Sequence, residues 1–417
     1  MFGLSLPILK TQIPGPLSQE WIDRLALREC PAITARRSRR AMNLGVAKAD
    51  PIVWKQAKGA NVEDVDGNIF IDLTAGFGVA GVGHANDEVV KALQAQSNIL
   101  LHAMGDAFPD PMRIQLLEKL SQISGYDRAI LGCSGSDAVE AAIKTARIAT
   151  GRDGILAFTN AYHGLAFGSL SSTHYKADTF RAPFSGQLGT HVSHAPFNGE
   201  LPKDLSSFAA IIVEPIQGRG GIQVPSENWL ASLIQKAHAQ GTLVIFDEIY
   251  TGFARTGSLF AFQDPSLQGE RPDIICVGKA LGGGFPISAC LGTAEVMDAW
   301  GASKGEALHT QTFLGNPLGC AMGLAALAEI ERIHASLEEK INWLWTELQT
   351  NGFSVRGRGL LIGIELPNTL ELSRELMQLG YIVLPAGPNC EVLALTPPLM
   401  ISKKQLSAFI ETLLKLI

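Results

Sequence analysis

No two of the six cysteines in this 417-residue chain form a C-x-x-C pair, and Cys30, Cys133, Cys276, Cys290, Cys320 and Cys390 show no metal-like spacing. That argues against a structural zinc site and reads as buried or bystander thiols in a reducing compartment, with no metal expected. Surplus positive charge is missing too. With 34 Lys and Arg against 40 Asp and Glu, the net charge of −6 offers no basic surface to nucleic acid or to an anionic membrane, which leaves small molecules as the expected ligands. The one basic run, Arg36-Arg37-Ser38-Arg39-Arg40, reads as a solvated face or as subunit-contact salt bridges. No apolar run is long enough to cross a bilayer. The opening MFGLSLPILK lacks a basic n-region and a small-residue cleavage site, so a cytosolic protein is expected. Internal repeats and low-complexity tracts are also missing.

What is present is a turn-rich globular composition, with 43 glycines and 46% hydrophobic residues. The length exceeds one average core without a composition break, so one large domain with a smaller appended one is expected. Short β-rich runs at Ala129–Leu131, Ile155–Phe158, Ala210–Val213, Leu243–Phe246 and Ile274–Val277 alternate with helical patterns. That spacing predicts an α/β fold with a mostly parallel central sheet and helical crossovers. Polar or Gly-rich residues follow each run, where ligands sit in open α/β sheets, beyond the carboxyl ends of the strands. After about Met322 long helical periodicity takes over, and strands return near Leu361–Glu365 and Val392–Leu395, which predicts a second, smaller α+β domain.

Four stretches carry chemistry. In GCSGSDAVEAAIKTAR (Gly132–Arg147) a small-residue turn opens a helix, and its free amides and positive dipole end could cradle an anion at Gly135 and Ser136. Such turns also cap helices with no ligand. In AYHG (Ala161–Gly164), Tyr162 could lay its face against a planar heterocycle, or be a core tyrosine at a strand end. In LVIFDEIYTGFARTG (Leu243–Gly257) an apolar strand ends in two acids. Strand alternation turns Asp247 and Glu248 to opposite sides, so only one faces a given ligand, unless both are plain caps. In DIICVGKALGGGFPIS (Asp273–Ser288), Lys279 ends a buried strand before three glycines. Desolvation lowers a lysine pKa, as a Schiff-base amine requires; the ordinary alternative is a lysine reaching solvent.

Together these stretches resemble the class III pyridoxal-5′-phosphate (PLP) aminotransferases of fold type I, over nearly the whole chain. The ordered set GCSGSDA, AYHG, EPIQG, FDEIYTGFARTG, GKALGGGFP and HTQTFLGNP carries the resemblance. IPGP (Ile13–Pro16), EDVDGNIFIDLTAGFGVAGVGH (Glu63–His84), VRGRGLLIGIEL (Val355–Leu366) and TPPL (Thr396–Leu399) extend it. The resemblance implies PLP as cofactor, with Gly135 and Ser136 at its phosphate, Tyr162 on its ring, Glu214 near its site, Asp247 on the pyridine nitrogen and Lys279 as the Schiff-base lysine. It further implies a homodimer in which Thr312 reaches the phosphate of the neighbouring subunit, and ping-pong transfer of an amino group from an amino acid or amine to a 2-oxo acid. The division it implies is residues 1–75 contributing to the small domain and the dimer interface, 76–321 as the large PLP domain and 322–417 as the C-terminal small domain.

Three departures bear on substrate. Many relatives read EPIQGE where this chain has Arg219, and carry Arg where it has Ala394, so the usual Glu-Arg pair is missing. Arg219 could itself take the substrate's acid group, or could point to solvent or pair with a structural acid. Tyr250 stands where Gln or a small apolar residue is frequent, which bears on contacts near the cofactor. Phe77 and Val79 are expected pocket walls, although a Phe after Gly76 is commonly packing. An amino-acid racemase or aminomutase would use the same Lys279 and Asp247. A regulatory protein without turnover is disfavoured by the intact Lys279, Asp247 and phosphate-loop residues.

Overall fold

The computed structural model describes residues 2–35, 42, 51–302 and 304–417, so the basic run at 36–40 lies outside the described residues. A seven-stranded sheet forms its centre: β1 (Arg128–Gly132), β2 (Gly154–Phe158), β3 (Val192–Ala195), β4 (Phe208–Val213), β5 (Leu243–Asp247), β6 (Ile274–Val277) and β7 (Ser288–Gly292). Their spatial order is β1-β7-β6-β5-β4-β2-β3. Only β7 runs antiparallel to its neighbours, β1 and β6; the remaining pairs are parallel. The five strands and the mostly parallel sheet expected from the sequence are therefore present. Strands β4, β5 and β6 are almost uniformly apolar and buried, because a sheet covered on both faces has no wet side on which polar residues could alternate.

Helix α1 (Gly135–Thr150) covers one face with a stripe of Ala138, Val139, Ala142, Ile143 and Ala146. Its first turn is closed by a capping box. Ser134 Oγ accepts from the amide of Asp137, and the Asp137 carboxylate accepts from the amides of Ser134 and Cys133. Helix α2 (Pro317–His334) runs unbroken through residues 321 and 322 and packs on the helix at Asp87–Ser97.

Two smaller sheets flank this layer. An antiparallel trio, Trp54–Lys58, Asn61–Asp64 and Ile69–Asp72, is extended by Tyr381–Ile382, which pairs in parallel with the third strand at Ile71 and Asp72. Residues 310 positions apart thus pair in one sheet. The other sheet joins Val355–Arg358, Leu361–Glu365, Val392–Leu395 and Leu384–Ala386, all antiparallel. One continuous apolar core, from Ala60 through Phe246 to Leu413, binds the sheets together.

Candidate active site

The carboxyl ends of β5 and β6 set the site. Asp247, the last residue of β5, is 4% exposed. Its Oδ2 lies 2.7 Å from Nδ1 of His163, and its Oδ1 accepts from the amide of Ile249 at 3.1 Å. Glu248 turns the other way, as strand alternation requires, and accepts from the amides of Ala261 and Phe262 at 2.7 and 2.8 Å and from the Thr251 hydroxyl at 2.9 Å. Glu248 is therefore a structural acid that pins the loop after β5, and Asp247 is the acid that faces the site.

Two residues beyond β6, Lys279 opens a short 3-10 turn, Lys279–Gly282, with φ of 45°, so the strand itself ends at Val277. The turn swings the amine across Tyr250, with Nζ 4.5 Å from the ring centroid. Burial lowers the Lys279 pKa to about 8, and the charge of Arg219 acts in the same direction, while Asp247 and Glu214 oppose both. Tyr250 is fixed at its far end by a 3.1 Å hydrogen bond between its hydroxyl and Thr396, and Thr396 donates in turn to the Thr74 carbonyl at 3.1 Å.

That chain of contacts brings in the loop after Ile69–Asp72. Ala75, Gly76, Phe77 and Gly78 have consecutive positive φ values of 48°, 54°, 64° and 81°, a left-handed turn that costs strain at the two non-glycine positions. Gly78 is required there, because a Cβ would sit 2.7 Å from the Tyr250 ring. Phe77 does not pack inward. It is 51% exposed, since the left-handed turn aims it outward, whereas Val79 is half-buried.

From the other side, Glu214 follows β4 and is 6% exposed. Its two oxygens accept from different loops, Oε1 from the amide of Tyr162 at 2.9 Å and Oε2 from the amide of Gly218 at 3.1 Å. Burial raises its pKa to about 7. The Arg219 guanidinium lies over the Tyr162 ring, 4.3 Å from its centroid. Gly135 packs against Ile249, and Ser136 lies against Gly164 of AYHG, where φ is 124° and a Cβ would collide with the Ser136 hydroxyl. Among the described residues the amides of Gly135 and Ser136 have no hydrogen-bond partner.

Lys279, Asp247, Tyr250, Glu214, Tyr162, Arg219, Gly135 and Ser136 thus stand at or after the ends of five strands, β1, β2, β4, β5 and β6. Thr312 stands apart. It is exposed and lines a separate cavity of about 300 Å³ with His102, Met104, Gly105, Thr310 and Gln311. Its neighbour Phe313 approaches α1, the carbonyl accepting from the Cys133 thiol at 3.8 Å. Sequence reasoning assigned no role to His163, whose partner Asp247 lies 84 positions away. Among the described residues no group of three or more His, Cys, Asp and Glu side chains is arranged to hold a metal ion.

The whole region matches known proteins. Residues 44–417 match the family model described as Aminotransferase class-III. The chain is 36% identical over 379 residues to an acetylornithine aminotransferase of Methanosarcina mazei, covering 87% of this chain and 91% of that protein. It is 34% identical over 447 residues to a 4-aminobutyrate aminotransferase of Mycobacterium bovis, covering 96% and 95%. Among solved structures, an ornithine aminotransferase of Toxoplasma gondii with PLP partly occupying its active site aligns with a TM-score of 0.79 at 27% identity, covering 98% of this chain and 97% of that one. An adenosylmethionine-8-amino-7-oxononanoate aminotransferase of Methanocaldococcus jannaschii aligns with a TM-score of 0.81 at 26% identity, covering 88% and 93%. With nine-tenths of its length inside the family model, this chain belongs to the class III aminotransferases, PLP-dependent enzymes of fold type I that transfer an amino group.

Proposed function

We propose that Lys279 is the amine that carries the cofactor and moves the proton in amino-group transfer from an amino acid or amine to a 2-oxo acid. The observation that carries this reading is the placement of its amine, turned in just beyond β6 with Nζ 4.5 Å from the Tyr250 ring centroid, where burial lowers its pKa to about 8. The residues present fit PLP. Asp247, ordered by His163, offers a buried carboxylate to the protonated ring nitrogen, Tyr162 offers an aromatic face, and the unpartnered amides of Gly135 and Ser136 at the start of a 16-residue helix suit a phosphate. Tyr250 stands against the Lys279 amine as a wall, with its ring fixed through Thr396.

When bound, PLP supplies an electron sink conjugated to the substrate carbon that loses its proton. Lys279 Nζ, neutral above about pH 8, would accept that proton and deliver it two bonds away, to the carbon on the far side of the transferred nitrogen. Asp247 holds its negative charge where the ring nitrogen's proton must stay. Glu214 keeps the Tyr162 and Gly218 loops in place, and we assign Val79 and Arg219 to the substrate side, with the outward-facing Phe77 at its rim. Donor and acceptor use this one set of groups in turn, which gives ping-pong kinetics.

We further assign the working unit as a homodimer in which Thr312 contributes to the phosphate site of a second copy. The support is an exposed apolar surface formed by Ile99, Leu101, Met104, Phe108, Leu308 and Phe313 around Thr312. A division into residues 1–75, 76–321 and 322–417 and a cytoplasmic location complete the reading; the second draws support from the acidic net charge, and no helix of the described residues is long and apolar enough to cross a membrane.

The test is a half-reaction. Purified holoenzyme given an amino donor and no acceptor should release one equivalent of oxo product per site. Stereochemical inversion without that release would replace transfer by racemisation.

A further inference from the structure

Resting on the transfer reading, we propose that Tyr162, Arg219 and Glu214 form a built carboxylate-recognition element, so that donor and acceptor alike carry a carboxylate. The guanidinium of Arg219 lies over the Tyr162 ring at 4.3 Å, and a ring face orients the cation while leaving its N–H edges free. No carboxylate among the described residues forms an ion pair with it. The two buried acids that act on Lys279 together with it already have partners. Glu214 gives both oxygens to backbone amides, and Asp247 faces His163 and the amide of Ile249.

The cation lies close to the chemistry: the preceding residue, Gly218, packs against the Tyr250 ring, and beside the larger effect of burial the Arg219 charge acts to lower the pKa of both Lys279 and Tyr250. Other arginines nearby are occupied. Arg255 is buried and donates to the carbonyls of Leu360 and Pro397, and Arg356 pairs with Glu365 and donates to the carbonyl of Gly221, with only its buried Nη2 left without a partner among the described residues. A cation left facing a partly desolvated cleft calls for an anion from the ligand, and a planar guanidinium suits a carboxylate through two parallel hydrogen bonds.

Glu214 sets the spacing. One of its oxygens binds the amide of Tyr162 and the other binds the amide of Gly218, the residue before Arg219. A single buried side chain therefore fixes ring and guanidinium relative to each other, and the amide of Gly387 holds the Arg219 carbonyl at 3.1 Å from the far side. Glu214 is in this sense a positioning residue. Because Arg219 is anchored on a ring and has no acid to retreat to, a substrate without a carboxylate leaves its charge unanswered in either half-reaction.

The test compares matched pairs in the holoenzyme: L-alanine with ethylamine and 5-aminopentanoate with pentylamine as donors, and pyruvate with acetaldehyde as acceptors. Binding of unreactive pentanoate is followed by calorimetry. Arg219→Ala should lower the kcat/KM preference for the carboxylate member, and the pentanoate affinity, about 10- to 100-fold, the scale of charge-assisted hydrogen bonds. Arg219→Lys should restore part of both. Glu214→Gln turns an amide N–H toward a backbone N–H and should reduce both without contacting the ligand. Unchanged preference and unchanged pentanoate affinity in Arg219→Ala would overturn the proposal. If no donor released an oxo product while pentanoate binding still required Arg219, the recognition element would stand and the transfer reading would fall.

Discussion

His163 Nδ1 lies 2.7 Å from Oδ2 of Asp247, and both side chains are buried at the carboxyl end of β5. An ionised carboxylate can only accept, so Nδ1 carries the proton and fixes the tautomer. The second ring nitrogen, Nε2, has no partner among the described residues. Asp247→Asn should still bind PLP yet lose about 2–3 kcal/mol of transition-state stabilisation, since a neutral amide cannot hold the ring nitrogen's proton. His163→Ala removes one charge-assisted bond and should cost about 1–2 kcal/mol in kcat. Pre-steady-state rates of the half-reaction report both, and near-normal kcat in Asp247→Asn would show that another group protonates the ring.

Lys279 sets the pH dependence. With the pKa lowered to about 8, roughly a tenth of the amine is neutral at pH 7, and kcat, which reports the complex in which substrate has freed Lys279 from the cofactor, should climb to a plateau above pH 8 rather than above 10. Removing the Arg219 charge should move this midpoint upward, because Arg219 is one of the groups that lowers it. Lys279→Ala should abolish both multiple turnover and the borohydride-reducible PLP adduct. A reducible adduct persisting in that variant would assign the cofactor to a different amine.

Much of this was legible in the sequence. The five central strands follow from short apolar β-rich runs between helical patterns, and the opposite turns of Asp247 and Glu248 from period-two alternation, neither of which needs long-range information. The His163–Asp247 contact spans 84 positions, and nothing local to AYHG signals it. The stack of Arg219 on Tyr162 depends on a clamp from Glu214, again a contact between separate loops. Phe77 was expected as a pocket wall or as packing and is exposed, because four left-handed residues in a row reverse the ordinary direction of its side chain. The edge strand Val192–Ala195 and the antiparallel β7, Ser288–Gly292, were not anticipated, since one is short and mixed and the other follows directly on the glycine-rich turn. The pairing of Tyr381–Ile382 with Ile69–Asp72 is likewise invisible in a pattern read locally.

Glu248 is the test of structural rather than chemical acidity. Three donors converge on it, and burial raises its pKa to about 7. Glu248→Gln places an NH₂ group against backbone N–H donors and should cost about 1–3 kcal/mol in chemical denaturation. Between about pH 4.5 and 7 the folded form holds a proton that the unfolded chain has lost, at Glu248 and also at Glu214. Apoprotein stability should therefore fall as pH rises through that window. Lys279 has the opposite sign in a different window: between about 8 and 10.5 the unfolded chain binds the extra proton, so its contribution grows with pH. Melting curves across pH 5 to 10 should show a shallow minimum near neutrality, and Glu248→Gln should flatten its acid limb.

Thr312 is exposed, yet the segment around it is dominated by large apolar side chains, with Ile99, Met104 and Phe108 on one strand of chain and Leu308 and Phe313 on the other. Water on this surface is unfavourable, and the proposed homodimer would bury it between the two chains. His102 and Phe313 meet edge to face at 5.4 Å, so the two segments form one surface rather than two loose loops. A second copy seated there would bring its Thr312 hydroxyl to the phosphate site at Gly135 and Ser136. Thr312→Ala should then weaken PLP affinity by about 1–2 kcal/mol, the scale of one hydrogen bond to a charged group, without separating the subunits. Phe313→Asp, which puts a charge into the apolar surface, should shift sedimentation toward monomer and weaken PLP in the same preparation. A fully active monomer with unaltered PLP affinity would show that each chain builds its phosphate site alone.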